Sequence, residues 1–382
     1  MPDDDRIPTT HIGSLPRPPA LLELLKQRQE GQSVDPETWD RTVREATETV
    51  LKRQHDVGLD IVNNGEQPRV SFNWYVADRL AGIHGRRDAP LWDDLRDYPD
   101  YAESAFSSDI IDLTTQPAVT EPVEYIGIDE ASDEIETFFE LLDASGFDFA
   151  GTFITSAAPG IAAASLANEH YDSHREFLFA IADELRQEYE LIAETGATLQ
   201  LDAPELLATG HRGFDDAPVE KLQAIVRMHV DALNEATSSI PDDQIRVHTC
   251  WGSYEGPHHK DVALEAVLPE LYEADIGAIS IEQANPRHQH EYRAFETHPP
   301  PEGWSLIPGV VDVKTNVIEH PQVIADRLER VAGAVGDPSR LIAAPDCGFD
   351  TQAGLAMVHP EIAWAKLESL VDGARIATER LF

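Results

Sequence analysis

Residues 246–253 read Arg246-Val247-His248-Thr249-Cys250-Trp251-Gly252-Ser253, a short buried strand that ends in a His-x-Cys pair. Side chains alternate faces along a strand, so His248 and Cys250 point the same way. A predicted helix over Pro218–Ala236 precedes this strand, and another over Asp261–Tyr272 follows it. The same alternation extends in both directions. Upstream, a helix from Glu134 to Ala144 leads to the apolar run Phe147–Ile154, and a helix over Ser173–Thr195 leads to Ala197–Asp202. Downstream, strands are expected at Ala278–Glu282, Ser305–Val311 and Leu341–Gly348. The helix Pro321–Ala334 and a final helix His359–Leu370 complete this half.

The N-terminal part supplies two more strands. Ile7–Pro18 begins as a strand and turns at its Gly, Ser and Pro residues; Leu59–Val62 is the next. Between them helices are predicted over Leu21–Gln29 and Pro36–His55, the second with Asp35 as N-cap and Pro36 in the first turn. Strands near residues 10, 61, 150, 200, 247, 280, 308 and 343 make eight, nearly all separated by helices. Eight strand–helix units define a (β/α)8 TIM barrel, here a single domain over residues 1–382. A doubly wound open sheet ranks second, because no G-x-G-x-x-G follows the first strand. Residues 82–123 lack clean periodicity and are expected to form an insertion, or lid, after the second strand.

Composition narrows the partners. Of 382 residues, 29 are Lys or Arg and 70 are Asp or Glu, giving a formal net charge of -41. The lysines are Lys26, Lys52, Lys221, Lys260, Lys314 and Lys366. An acidic, lysine-poor surface suits high intracellular salt, where screening relieves self-repulsion; a halophilic protein is the expectation. The same surface repels nucleic acid and anionic membranes. No apolar run is long enough to span a bilayer and the first residues lack a secretory h-region, so a cytoplasmic location is expected. Two cysteines nearly a hundred residues apart make no disulfide framework.

In such a barrel, catalytic groups stand at the C-terminal ends of the strands. Polar residues interrupt the apolar runs at those places: His11, Glu66, Asp202, His248 with Cys250, Glu282 and Cys347. His248, Cys250, Glu282 and Cys347 offer N, S, O and S donors, a set suited to Zn2+. Thiolate-rich zinc is a weak Lewis acid, better suited to holding a substrate thiol as a nucleophile than to activating water. Arg17 and Arg69 are candidates to clamp an anionic group, with structural ion pairs as the competing role. Lys314 and Asp312 are the candidate catalytic pair beyond the metal, Lys314 as an active-site cation. Trp74, Tyr75 and Trp251 are placed to stack on a flat ligand or to pack beneath the rim. His258, His259, His288 and His290 read as solvated loop residues in preference to a second metal site.

These stretches together carry a family resemblance. Thr9–Ser14, Asn64–Glu66, Gln200–Asp202, His248–Cys250, Ile279–Glu282, Pro308–Asp312 and Pro345–Gly348 resemble, in order, the catalytic barrel of cobalamin-independent methionine synthases. That group includes the related epoxyalkane:coenzyme M transferases. The resemblance is to single-barrel members, since the degenerate N-terminal copy is absent. It implies His248, Cys250, Glu282 and Cys347 as four zinc ligands. It also implies that Glu66 and Asp202 hold the amino group of homocysteine, with Ile12, Gly13 and Ser14 near its carboxylate. A methylated folate or pterin, or a methylcorrinoid, is the implied donor. The chain departs from the pattern at Lys314, where methionine synthases carry a His thought to help proton transfer, and at His11, where they tend to have a small polar residue. The alternatives are a coenzyme M transferase-like C–S bond-forming enzyme and a zinc- or thiol-binding barrel that has lost catalysis. Neither the oligomeric state nor the pathway is fixed by the sequence.

Overall fold

A computed structural model describes residues 5–105, 110, 114–208 and 217–382. Its strands are β1 (Ile61–Val62), β2 (Leu80–Asp88), β3 (Thr115–Tyr125), β4 (Gly151–Ala157), β5 (Ala167–Asn168), β6 (Thr198–Asp202), β7 (Ile245–Thr249), β8 (Ala278–Ile281), β9 (Ser305–Val311) and β10 (Ala344–Pro345). Seven form one parallel sheet in the order β1-β4-β6-β7-β8-β9-β10. Residues 8–10 then join its two edges. Thr9 bridges Ala343 and Thr10 bridges Ile61, both in parallel; Thr10 N donates to Ala343 O at 2.9 Å and Ile61 N to Thr9 O at 3.0 Å. The first stretch of chain is thus the eighth strand of a closed ring, and the expected (β/α)8 barrel stands.

Helices cover the outside. Pro36–Val57 starts at Asp35, whose carboxylate accepts from Thr38 N at 3.0 Å, and stops at Gly58, φ 83°. His174–Glu194 starts at Ser173, whose hydroxyl accepts from Glu176 N at 3.1 Å. The outer layer also includes Val219–Thr237 and Pro321–Val335. Two helical expectations need correction. The stretch 261–272 is a 3-10 turn, Leu264–Ala266, and a short helix, Leu268–Leu271, since Pro269 lacks the N–H a longer helix would use. The last helix runs over Pro360–Leu381, well past Leu370. Gly373 does not stop it, because a Cβ there would press on Ile324 of the neighbouring helix; the missing side chain lets the two helices approach.

Strands β2 and β3, which lie between β1 and β4, form a second sheet with β5, which follows β4; its order is β2-β3-β5, with β2 and β3 antiparallel and β3 and β5 parallel. The lack of periodicity seen in residues 82–123 has a physical cause. The register shifts between Ala81 and Ile83 and again between Ile83 and Arg86, and each irregularity breaks the two-residue alternation. The remainder includes the short helices Asp93–Arg96 and Pro99–Ala105; residues 106–109 and 111–113 lie outside the described ones.

Glu188 ties this sheet to the barrel. Fully buried, it accepts from Arg79 Nη1 at 2.8 Å, Tyr75 Oη at 2.8 Å, Ser156 Oγ at 2.7 Å and Tyr125 Oη. Arg79 also donates to Glu134 at 2.7 Å. Burial opposes ionisation of Glu188, but Arg79 and Arg69 outweigh it and pull its carboxyl down to about 2. Glu188→Ala leaves Arg79 and two tyrosine hydroxyls without their shared acceptor, and should lower stability by about 3–5 kcal/mol in denaturant titration. A loss below about 1 kcal/mol would mean that the network does not hold the inserted sheet.

Candidate active site

Strand phase brings the site residues together. Asp202 and His248 are register partners on β6 and β7, and His248 faces Ser280 on β8. Residues two apart share a face, so Gln200 accompanies Asp202, while Arg246 accompanies His248. At the far side of the ring, Cys347 follows β10. The donor atoms of His248, Cys250 and Cys347 lie within 4.8 Å of one another, all three residues buried. His248 Nδ1 lies 3.3 Å from Ser280 Oγ, leaving Nε2 buried without a hydrogen-bond partner among the described residues. An orphaned imidazole nitrogen beside two buried thiols fits a thiophilic divalent metal.

Glu282 borders this group, and its oxygens are engaged. Oε1 accepts from Trp251 N at 2.9 Å; Oε2 accepts from Asn285 Nδ2 at 3.0 Å and Lys314 Nζ at 3.2 Å. Lys314 is held as a cation: burial opposes its charge, but Glu282 and then Asp346 raise its pKa. Asp312 does not pair with the Lys314 side chain. Its carboxylate accepts from Lys314 N at 2.8 Å. Without a metal, Cys250 shares its proton with Cys347, which raises the Cys250 thiol and lowers that of Cys347; burial adds to the first shift and opposes the second.

A cleft of about 1330 Å³ opens over these groups, lined by Ser14, Glu66, Asp202, His248, Cys250 and Cys347. Glu66 ends the loop after β1 in a strained left-handed conformation, φ 54°. Asn63 Oδ1 accepts from Gly65 N at 2.7 Å, and Asn64 Oδ1 from Glu66 N at 2.9 Å. The Glu66 carboxylate lies where a Cβ of Gly13 would be, and Gly13 has φ 133°, so the loop at Ile12–Ser14 needs its glycine for two reasons. Burial raises the carboxyl of Glu66, against Arg69 and Arg17. Burial, then Glu66, raises Asp202 to about 8. Two buried carboxyls in one cleft prepare it for a cation.

Other candidates fall elsewhere. Arg17 pairs with Asp350 at 3.1 Å and donates to Glu66 O at 2.8 Å; Arg69 pairs with Glu134 at 2.9 Å and donates to Thr155 O at 2.9 Å. Both are buried structural cations outside the cleft lining. His11 is likewise buried, with Nε2 2.8 Å from Gln54 Oε1 and Nδ1 accepting from Gly13 N at 3.2 Å. Burial and Arg246 push its pKa down to about 3, keeping it neutral. Trp74 lines the cleft, whereas Tyr75 belongs to the Glu188 network and Trp251 stacks on His288 at 3.7 Å.

The expected solvated histidine cluster divides. His259 and His290 are exposed, but His258 and His288 are buried around Asp261. One oxygen, Asp261 Oδ2, lies 3.0 Å from His258 Nδ1 and 2.6 Å from His288 Nε2. Tetrahedral ligands around zinc stand roughly 3.3 Å apart, so these are hydrogen-bond spacings, and the cluster backs Trp251. Gln200 and Arg246 were absent from the sequence candidates, though their two-residue phase with Asp202 and His248 was visible. Gln200 Nε2 donates to Asp202 Oδ1 at 2.7 Å and to Ile12 O at 2.6 Å, while Arg246 Nε donates to Gln200 Oε1 at 2.8 Å.

The lowered thiol of Cys347 makes a testable difference between the two cysteines. In metal-free protein near neutral pH, iodoacetamide should label Cys347 well ahead of Cys250, and zinc should protect both. Peptide mapping would show this; equal labelling would exclude the shared-proton arrangement, and no protection would exclude zinc at the two thiols.

Comparisons with known proteins identify the family and the fold. A family model for the catalytic domain of cobalamin-independent synthase matches residues 7–90 and 158–375. A methionine synthase from Thermococcus kodakarensis is 25% identical over 378 residues, covering 98% of this chain and 94% of the relative. One from Sulfurisphaera tokodaii is 26% identical over 377 residues, with 98% and 94% covered. In fold, the chain is similar to a B12-independent methionine synthase from Shewanella sp. W3-18-1, solved in complex with selenomethionine. That likeness has a TM-score of 0.73 at 20% identity and covers 98% of this chain and 99% of the other.

Proposed function

The chain belongs to the cobalamin-independent synthase catalytic-domain family, and on that premise we propose that it transfers a methyl group to the thiol of homocysteine, giving methionine. The observation that carries this reading is one cleft shared by the His248, Cys250 and Cys347 donors and the Glu66 and Asp202 carboxyls. A sulfur-binding centre and a cation-binding centre in one space suit a small amino-thiol.

His248, Cys250 and Cys347, with Glu282 as the fourth ligand, would hold zinc. Bound there, zinc would keep the substrate thiol deprotonated and nucleophilic at neutral pH. Glu66 and Asp202 take the ammonium group, which neutralises two carboxyls that burial otherwise keeps partly protonated. Ser14 and the backbone around Gly13 stand near the substrate carboxylate. Lys314 compensates the charge of Glu282 from behind the site. In the transfer, a sulfur–carbon bond forms as the donor–methyl bond breaks, and the electron pair of that bond leaves with the donor. The donor is a methylated folate or pterin, or a methylcorrinoid, and Trp74 and Trp92 offer flat faces on the cleft wall. A sulfonate thiol, as in the coenzyme M branch, carries no ammonium for these two carboxyls to bind.

Product analysis is the direct test. Zinc-loaded protein given homocysteine and either a methyltetrahydropteroyl donor or methylcobalamin should form methionine, detected by mass spectrometry. Formation of a thioether from coenzyme M and an epoxide, with no methionine from either donor, would overturn the proposal. The pH dependence follows from Asp202. Below about 8 its carboxyl is protonated and binds an ammonium poorly, so the KM for homocysteine should fall as pH rises towards that value and then level off. Asp202→Asn should raise KM and flatten this limb; an unchanged profile would remove Asp202 from the amino-group site.

A further inference from the structure

Cys347 and Glu282 follow strands that do not touch, because β9 lies between β8 and β10. Asp346 spans that gap. Its backbone N donates to Val311 O at 2.8 Å, fixing it on β9. Its side chain crosses Gly309 of β9 and reaches the loop after β8. There Oδ1 accepts from Gln283 N at 2.9 Å and Ala284 N at 2.8 Å, and Oδ2 from Asn285 N at 3.0 Å. Gly309 is what makes the crossing possible. A Cβ at that position would strike Asp346 Oδ1 and come within 2.6 Å of its Cα.

The three loop amides belong to the residues directly after Glu282, so Asp346 fixes where that carboxylate stands. Asn285 strengthens the coupling: its Nδ2 donates to Glu282 Oε2 at 3.0 Å and lies 3.3 Å from Asp346 Oδ2. The other oxygen of Glu282 accepts from Trp251 N, the amide that follows Cys250. One buried network therefore runs from the neighbour of Cys347 through Asn285 and Glu282 to the neighbour of Cys250. Asp346 is 1% exposed and contributes no atom to the cleft lining.

We propose that Asp346 is the positioning residue of the metal centre, a clamp that crosses Gly309 to hold the Glu282 loop in register with Cys347. This rests on the zinc reading above and adds to it a residue that touches neither metal nor substrate. Groups that orient ligands in this way typically contribute about 10- to 100-fold to metal affinity. In Asp346→Asn one carboxylate oxygen becomes an NH2 group facing backbone N–H donors, whichever way the amide turns. The side-chain volume is unchanged.

The test compares the full-length protein with Asp346→Asn and Asn285→Ala. Zinc affinity is read by competition with a chromophoric chelator, site geometry by the visible spectrum of the cobalt-substituted protein, and integrity by the melting temperature of the metal-free form. Asp346→Asn should weaken zinc binding about 10- to 100-fold and alter the cobalt bands, while the metal-free form still melts cooperatively, at a lower temperature because buried N–H donors lose their acceptor. Asn285→Ala, which leaves the three amide bonds in place, should show a smaller loss in the same direction. It also decides the matter if Asp346→Asn does not fold. Parental zinc affinity and an unchanged cobalt spectrum in Asp346→Asn, or in Asn285→Ala where that variant must decide, would overturn the clamp and leave the metal reading intact. Failure of the unmutated protein to bind zinc would overturn the metal reading, and the clamp with it.

Discussion

The hydrogen bonds of residues 8–10 to both edges of the parallel sheet are the constraint on which the structure depends. A seven-stranded sheet with free edges would splay. Closed by Thr9 on Ala343 and Thr10 on Ile61, it turns every strand end towards one space. The closure also places the loop at Ile12–Ser14 over Glu66 on one side and beside Gly348 on the other, where a Cβ would press on Ser14. The Glu66 and Asp202 carboxyls and the His248, Cys250 and Cys347 donors are therefore neighbours only because the ring is shut.

Inside that ring, polar groups are buried under different rules. Arg17, Arg69 and Arg79 each meet a carboxylate, and those pairs are architectural. Glu66 and Asp202 face the cleft with burial acting against their charge, an arrangement that costs stability until a cation arrives. Lys314 and Glu282 pair at 3.2 Å beside the thiols, so the charge of the Glu282 carboxylate is balanced within the buried site. Lys314 thus has a local role in charge balance.

Much of this was legible in the sequence, for reasons that differ by residue. β9 was read at its observed ends, Ser305 and Val311, because a fully buried parallel strand is a continuous apolar run. His248 and Cys250 were found because a polar pair at a strand end breaks such a run. Asp346 was passed over because its role depends on Gly309, on the preceding strand and beyond an intervening helix, and no local pattern links them. Residues 82–123 looked irregular because bulges in β2 and β3 erase the alternation that reveals a strand. Arg17 and Arg69 were plausible anion clamps until folding supplied Asp350 and Glu134, residues far along the chain.

The placement of residues 8–10 between β1 and β10 has a consequence for how the protein is made. During synthesis the stretch that closes the ring emerges early, yet one of its two partners, Ala343, emerges more than three hundred residues later. Until then the first strand has one neighbour, Cys347 is still to come, and the two buried thiols cannot meet. The donors His248, Cys250 and Cys347 thus come together only after nearly all of the described chain has left the ribosome, and on the zinc reading proposed above an incomplete chain would carry at most His248, Cys250 and Glu282 and hold the metal weakly.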